Sequence, residues 1–201
     1  MTKPMHALSA SVVRNFCELC NKAHEYWLNH LALFDNNPRN TEFMESIARN
    51  EWVRLSIISQ EYSLLQIFKL HDPAGTSRKI TLGIDYMLKN GGWPDSVRHS
   101  LVALKEELDN FANQLREARN KILSHNDLAT IGAGATLGSF ADGACENYFE
   151  SLQDFVNIVH DQVVGGPYPF DNLVINDVAF FLRTINPLPL KRSSQTDKVG
   201  K

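Results

Sequence analysis

Apolar residues recur along most of this chain at alternating steps of three and four, the signature of helices that bury one face. Between residues 8 and 35 the positions Val13, Phe16, Cys20, Ala23, Trp27 and Phe34 form such a stripe. Residues 41 to 70 repeat it with Met44, Ala48, Trp52, Leu55, Ile58, Tyr62, Leu65 and Phe68, and Thr41 is a plausible helix start after the polar loop "DNNPRN". The pattern breaks at "HDPAGTSRK", where Pro73 and Gly75 oppose regular helix. A short amphipathic piece, "ITLGIDYML", follows and stops at Asn90-Gly91-Gly92. Pro94 and Asp95 then open the clearest helix: proline suits a first turn, and an acid there favours the dipole. Its seam runs Val97, Leu101, Leu104, Leu108, Phe111, Leu115, Ala118, Ile122 without a slip, and one further step of three lands on His125. Spacing of this kind packs along antiparallel neighbours.

After Asp127 comes a Gly-rich connector, residues 128 to 143, then a helix carrying Tyr148, Leu152, Phe155, Val159 and Val163 that ends at Gly165-Gly166-Pro167. A last short helix is expected over about 172 to 185. No strand pattern is convincing, and no repeat or linker divides the chain. The expectation is all-α: an antiparallel bundle of about five to seven helices in one domain over 1–186, with a polar tail over 187–201 expected to be disordered.

Composition narrows the function classes. The chain has 201 residues, 43% hydrophobic and 21% charged, enough for a sizeable core. A formal charge of −3 supplies no global field for nucleic acid, so an RNA partner needs a local patch. Three cysteines do not read as a disulfide framework, which points to a reducing, cytoplasmic setting. Met1 to Leu8 lack the apolar core of a signal peptide, and no apolar run is long enough to span a bilayer.

Candidate chemistry collects in "REARNKILSHND", residues 116 to 127. Arg119 and His125 are six residues apart, about 120° and roughly 9 Å along a regular helix, so they do not stack on one face. They converge through the reach of the arginine, a distorted last turn, or a second copy across a dimer. An imidazole near neutrality can take a proton from a ribose 2′-hydroxyl, and a guanidinium can hold a phosphate bidentately. The pair therefore suffices for metal-independent RNA cleavage, with Asn120, Ser124 and Asp127 available as orienting hydrogen-bond groups. The competing account is an ordinary polar helix end, where Arg, His, Asn and Asp are all favoured.

Other motifs carry less. Cys17, Cys20 and His24 have spacings that zinc sites use, with Cys145 or His30 as remote further ligands, but Cys20 lies on the apolar stripe, so small buried hydrophobes are the better reading. "GAGATLG", residues 132 to 138, has glycines like a dinucleotide loop but lacks the strand before it. His71-Asp72 reads either as a second polar site or as a turn capped by Asp72. His6, His99 and His160 read as solvent-facing. No cofactor or metal is expected.

"RNKILSHND" at the end of a long seam helix resembles the Arg-x(4–6)-His motif of the HEPN superfamily (higher eukaryotes and prokaryotes nucleotide-binding domains), in which the residue after the arginine is commonly polar, as Asn120 is. With "LLQIFKLHDPAGTSRKITLGIDYML" before it, the chain is most similar to the abortive-infection AbiU-like branch, over about residues 45 to 130. The resemblance implies a helical bundle that forms a homodimer with two motifs facing each other. In many members it implies an RNase with RNA as substrate, used in phage defence or as a toxin held by an antitoxin-like protein partner. On it His125 is the catalytic acid or base, Arg119 the phosphate-binding partner and Asn120 a polar helper. A non-catalytic module that binds a nucleotide, RNA or a partner protein is the alternative.

Overall fold

The computed structural model describes residues 8–35, 38–76, 79–118 and 143–186. Six α-helices carry these residues: α1 Ala10–His30, α2 Pro38–Leu70, α3 Ile84–Asn90, α4 Asp95–Ala118, α5 Ala144–Val163 and α6 Leu173–Ile185. α1 packs against α2, α5 and α6, while α4 lies against α5 and touches α2 and α3. The expected all-helical bundle is therefore present. Among the described residues no helix is long and apolar enough to cross a membrane.

α1 starts where Ser9 accepts a hydrogen bond from the Val12 amide at 3.3 Å, satisfying one orphan donor of the first turn. Its stripe of Val13, Phe16, Cys17, Cys20, Ala23 and Trp27 is buried as the spacing requires. Beyond His30 the helix widens into a π-turn, Leu31–Asp35, and Phe34 meets the Trp52 ring at 4.6 Å between centroids.

Leu101, Leu108, Phe111 and Leu115 of α4 are buried, with Val97 and Leu104 packed at the edge of the same core. They face Tyr148, Phe149, Leu152, Phe155, Val156 and Val159 of α5. The Phe111 and Tyr148 rings lie 4.8 Å apart. α5 stops at a turn in which Gly165 and Gly166 hold φ of 102° and 73°, a region costly for any residue with a Cβ. His160, expected in solvent, is buried here: its Nδ1 lies 2.8 Å from the Gly166 carbonyl, and the glycine turn folds back over it. His99 is exposed as expected.

The segment before α3 departs from the helical expectation. "ITLGIDYML" is not one piece, because Lys79–Ile80 pair with Gly75–Thr76 in a two-residue antiparallel ladder and α3 begins at Ile84. Gly83 forces the break: a Cβ there would sit 2.6 Å from the Leu70 carbonyl oxygen, so only glycine lets the chain pass the end of α2. The Ala74 amide donates to Asp85 Oδ2 at 3.1 Å, and Asp72 is exposed.

α2 departs most. It starts at Pro38 rather than Thr41, with proline at the first helical position, and kinks at Ala48 (φ −152°, ψ 62°). Trp52 and Phe68 are buried as expected. Leu55, Ile58, Tyr62 and Leu65, expected on the same buried face, are 44, 60, 45 and 41% exposed. The buried face is instead Ser63, Leu64, Ile67, Phe68 and Leu70, on a helix that packs against α1. Ser63 is satisfied within it by donating to the Tyr26 and Ser59 carbonyls. α2 is apolar on nearly every side, so periodicity picks out a stripe without saying which neighbour covers it.

Candidate functional site

α4 delivers the chain to the motif. Its described residues run to Ala118, one residue before Arg119 in the sequence, and α5 begins at Ala144. Arg119, Asn120, Ser124, His125 and Asp127, with Ile122 of the seam and the "GAGATLG" glycines, lie outside the described residues, as do His6 and the tail over 187–201. What can be built from side chains is the frame on either side.

Its centre is a part-buried polar network joining the end of α2 to α4 and α5. His71, just past the end of α2 with its side chain only 2% exposed, places Nδ1 at 2.9 Å from Asp109 Oδ1 and Nε2 at 3.0 Å from the Tyr148 hydroxyl. Lys105, one turn before Asp109 on α4, donates to the other carboxylate oxygen. Burial tends to raise the Asp109 pKa, but hydrogen bonds from Lys105 and His71 outweigh it and hold the carboxyl below its ordinary 3.8. Burial pushes His71 below its ordinary 6.5 although Asp109 pulls the other way, with Lys105 and Arg116 adding to the depression. Burial also pushes the Tyr148 hydroxyl well above 10.

These states fix the proton positions. An ionised carboxylate accepts only, so a neutral His71 carries its proton on Nδ1 and donates to Asp109, leaving Nε2 to accept from Tyr148. Every group is satisfied, and none of the imidazole is open to a substrate. The network holds α4 in rotation roughly 14 Å of helix before Ala118. His71 is therefore a strut between the end of α2, α4 and α5. Lys105, Asp109 and Tyr148 were missed in the sequence; the Lys-Asp pair at i,i+4 was visible, its meeting with His71 was not.

A groove between α1 and α5 lies along the half of α5 nearest the connector. Its volume is about 560 Å³. Trp27, His24, Phe149 and Phe170 are among its lining, and Glu146, Glu150 and Asp154, one turn apart on α5, stand exposed along it. Three carboxylates repel phosphate, so this groove is unsuited to an RNA backbone. His24 has its pKa lowered by burial and meets Phe149 and Phe170 ring to ring. Cys17 and Cys20 are wholly buried; burial pushes the Cys17 thiol up to about 12 and Cys20 well above 9. They act as small hydrophobes of the core, as their place on the stripe suggests. Among the described residues no group of His, Cys, Asp and Glu could hold a metal ion.

A family model described as AbiU2, of the HEPN group, matches residues 9–180. The chain belongs to the AbiU2 family of HEPN domains. No curated protein and no solved structure matches it. The AbiU2 match reaches beyond the 45 to 130 suggested by the motif region, taking in α1 at one end and most of α6 at the other. The buried network of His71, Asp109 and Tyr148 is thus internal to the AbiU2 domain, and "RNKILSHND" falls within the matched span.

Proposed function

We propose that this AbiU2 domain is a metal-independent endoribonuclease that works as a homodimer. His125 takes the proton of a ribose 2′-hydroxyl as that oxygen attacks the adjacent phosphorus. The bond from phosphorus to the 5′-oxygen breaks, the departing oxygen gains a proton, and the products are a 2′,3′-cyclic phosphate and a 5′-hydroxyl. Arg119 holds the phosphate and stabilises the charge that grows on it. Asn120, Ser124 and Asp127 orient the two. The role that fits is phage defence or toxin-like growth arrest in the cytoplasm, with an antitoxin-like protein as a restraining partner.

The observation that supports this reading is the position of the motif: within the AbiU2 match, it follows directly on a helix whose rotation the His71 network fixes. The test is incubation of a mixed RNA pool in EDTA with the wild type, His125→Ala and Arg119→Ala. Wild type should give fragments ending in 2′,3′-cyclic phosphate, and both variants should lose at least about a hundredfold in rate. RNA left intact by wild type and variants alike would move the domain to the class of non-catalytic binding modules.

A further inference from the structure

The stripe of α2 has the spacing of a packing seam and is left 41 to 60% exposed, its Tyr62 ring meeting Tyr26 of α1 at 4.9 Å between centroids. Leu55, Ile58, Tyr62 and Leu65 follow one another at steps of three, four and three, within about 80° of the helix circumference. A monomeric surface rarely carries so continuous an apolar strip. Leu55, Ile58 and Tyr62 form one wall of a groove of about 460 Å³ whose other walls include Tyr26 of α1, Phe34 of the π-turn, Trp52 and Phe181 of α6. Phe181 is itself half exposed. Steps of three and four suit a second helix packed at about 20°.

The charges on the same stripe identify that helix. Glu51 lies one turn before Leu55 and Lys69 one turn after Leu65, both exposed and both on the arc of the apolar residues. Reversing the stripe end for end maps Ile58 onto Tyr62, Leu55 onto Leu65, and Glu51 onto Lys69. An antiparallel copy therefore sets apolar residues against apolar residues and, at both ends, a carboxylate against an ammonium. A parallel copy would set Glu51 against Glu51. Glu51 keeps its own exposed partner, Arg54 at 3.4 Å, which leaves the second carboxylate oxygen free to meet a lysine from outside.

We propose that α2 is a homodimer surface: two copies pair antiparallel about a twofold axis opposite Gln60, over roughly 27 Å from Glu51 to Lys69, with the groove beside each stripe receiving side chains of the other copy. The inference takes from the proposed function only that two copies associate, and does not depend on Arg119 or His125 being catalytic.

Sedimentation of the full chain tests it. The wild type is expected as a dimer, and Ile58→Glu should weaken association at least about a hundredfold without changing the circular dichroism, because Ile58 is exposed in the single chain. Glu51→Lys and Lys69→Glu should each weaken it about tenfold, since every dimer contains the altered contact twice. The double variant should regain the wild-type constant, and an equimolar mixture of the two single variants should form heterodimers more tightly than either pairs with itself. Only a contact between residue 51 of one copy and residue 69 of the other yields both results, and they hold even if Ile58→Glu misfolds. A wild type that stays monomeric up to about 100 μM overturns the proposal. So does a dimer indifferent to Ile58→Glu and Tyr62→Glu, or charge losses that add instead of cancelling. His125→Ala should leave the dimer intact. A well-formed dimer that cuts no RNA counts against the nuclease alone, and a dimer that cuts RNA but is indifferent to the α2 variants counts against this surface alone.

Discussion

α4 and α2 carry the same pattern, apolar residues at steps of three and four over several turns, and the bundle treats them differently. The α4 stripe is covered by α5 and locked in rotation by the His71 network. The middle of the α2 stripe faces outward while a different set, Ser63, Leu64, Ile67 and Leu70, is buried. Periodicity thus reports that a face is suited to burial but not where its cover comes from, the same chain or another.

Truncation in the two stripes separates them most. Leu108→Ala, in the covered seam, should cost about 2–5 kcal/mol through lost burial and the cavity it leaves. Ile58→Ala should change the stability of the dissociated chain by no more than about 0.5 kcal/mol. Urea unfolding at low protein concentration measures both, and comparable losses would mean that the α2 stripe is covered within the single chain.

Next in size is the lock. Tyr148→Phe removes the hydroxyl that donates to His71 Nε2 and leaves a buried acceptor unpaired, which should cost about 1–3 kcal/mol. Ser59→Ala beside the α2 stripe removes a partly exposed hydroxyl and should cost less than about 0.5 kcal/mol in the same assay. If Tyr148→Phe is no worse than Ser59→Ala, the network is not what fixes α4.

The lock also has a pH signature. His71 has a folded pKa below its ordinary 6.5, so folded and unfolded chains are both neutral there above that value and its stabilising effect is complete. As pH falls through 6.5 toward the folded pKa, the unfolded chain takes up the proton first and stability declines. His24 and His30 are also depressed by burial and push in the same direction. His71→Gln should therefore flatten the fall of the urea midpoint below about pH 6.5 without abolishing it. An unchanged slope would show that His71 is not buried neutral. The exposed α2 stripe holds no histidine and should contribute nothing in this window.

The same contrast explains what the sequence could disclose. Helix positions on α1, α4 and α5 were legible because each has one apolar face that its neighbours in the bundle cover: Val13, Leu108 and Leu152 are fully buried as their spacing demands. Local punctuation was legible where a residue type permits little else, as at Pro94 and Gly165-Gly166. His160 was misread because its burial depends on a turn folding back, which no periodicity encodes. The ladder at Gly75–Ile80 escaped because two residues are too few to alternate, and the Gly83 break because its cause is the Leu70 carbonyl, a contact across the fold. For the site, the motif could be named from "RNKILSHND", and His71 could be singled out. Its partners Asp109 and Tyr148 lie 38 and 77 residues away and are joined only by packing.

The smallest contrast lies in two ion pairs. Lys105–Asp109 on α4 and Glu51–Arg54 on α2 look alike in sequence, opposite charges one turn apart. The first is partly buried, with side-chain exposures of 24 and 37%, and its carboxylate also holds His71; the second is exposed at 60 and 71%. Arg54→Ala should change stability by less than about 0.5 kcal/mol, because water and salt screen an exposed pair and ordering two long side chains offsets the attraction. Lys105→Met keeps the aliphatic stem but removes the charge that holds Asp109 ionised, so its cost should exceed that of Arg54→Ala and should shrink in the Asp109→Asn background. A double-mutant cycle by urea unfolding reads the coupling. A coupling as small as that between Glu51 and Arg54 would show that burial beside His71 adds nothing to an ordinary surface pair, and the strut assigned to α4 would rest on Tyr148 and His71 alone.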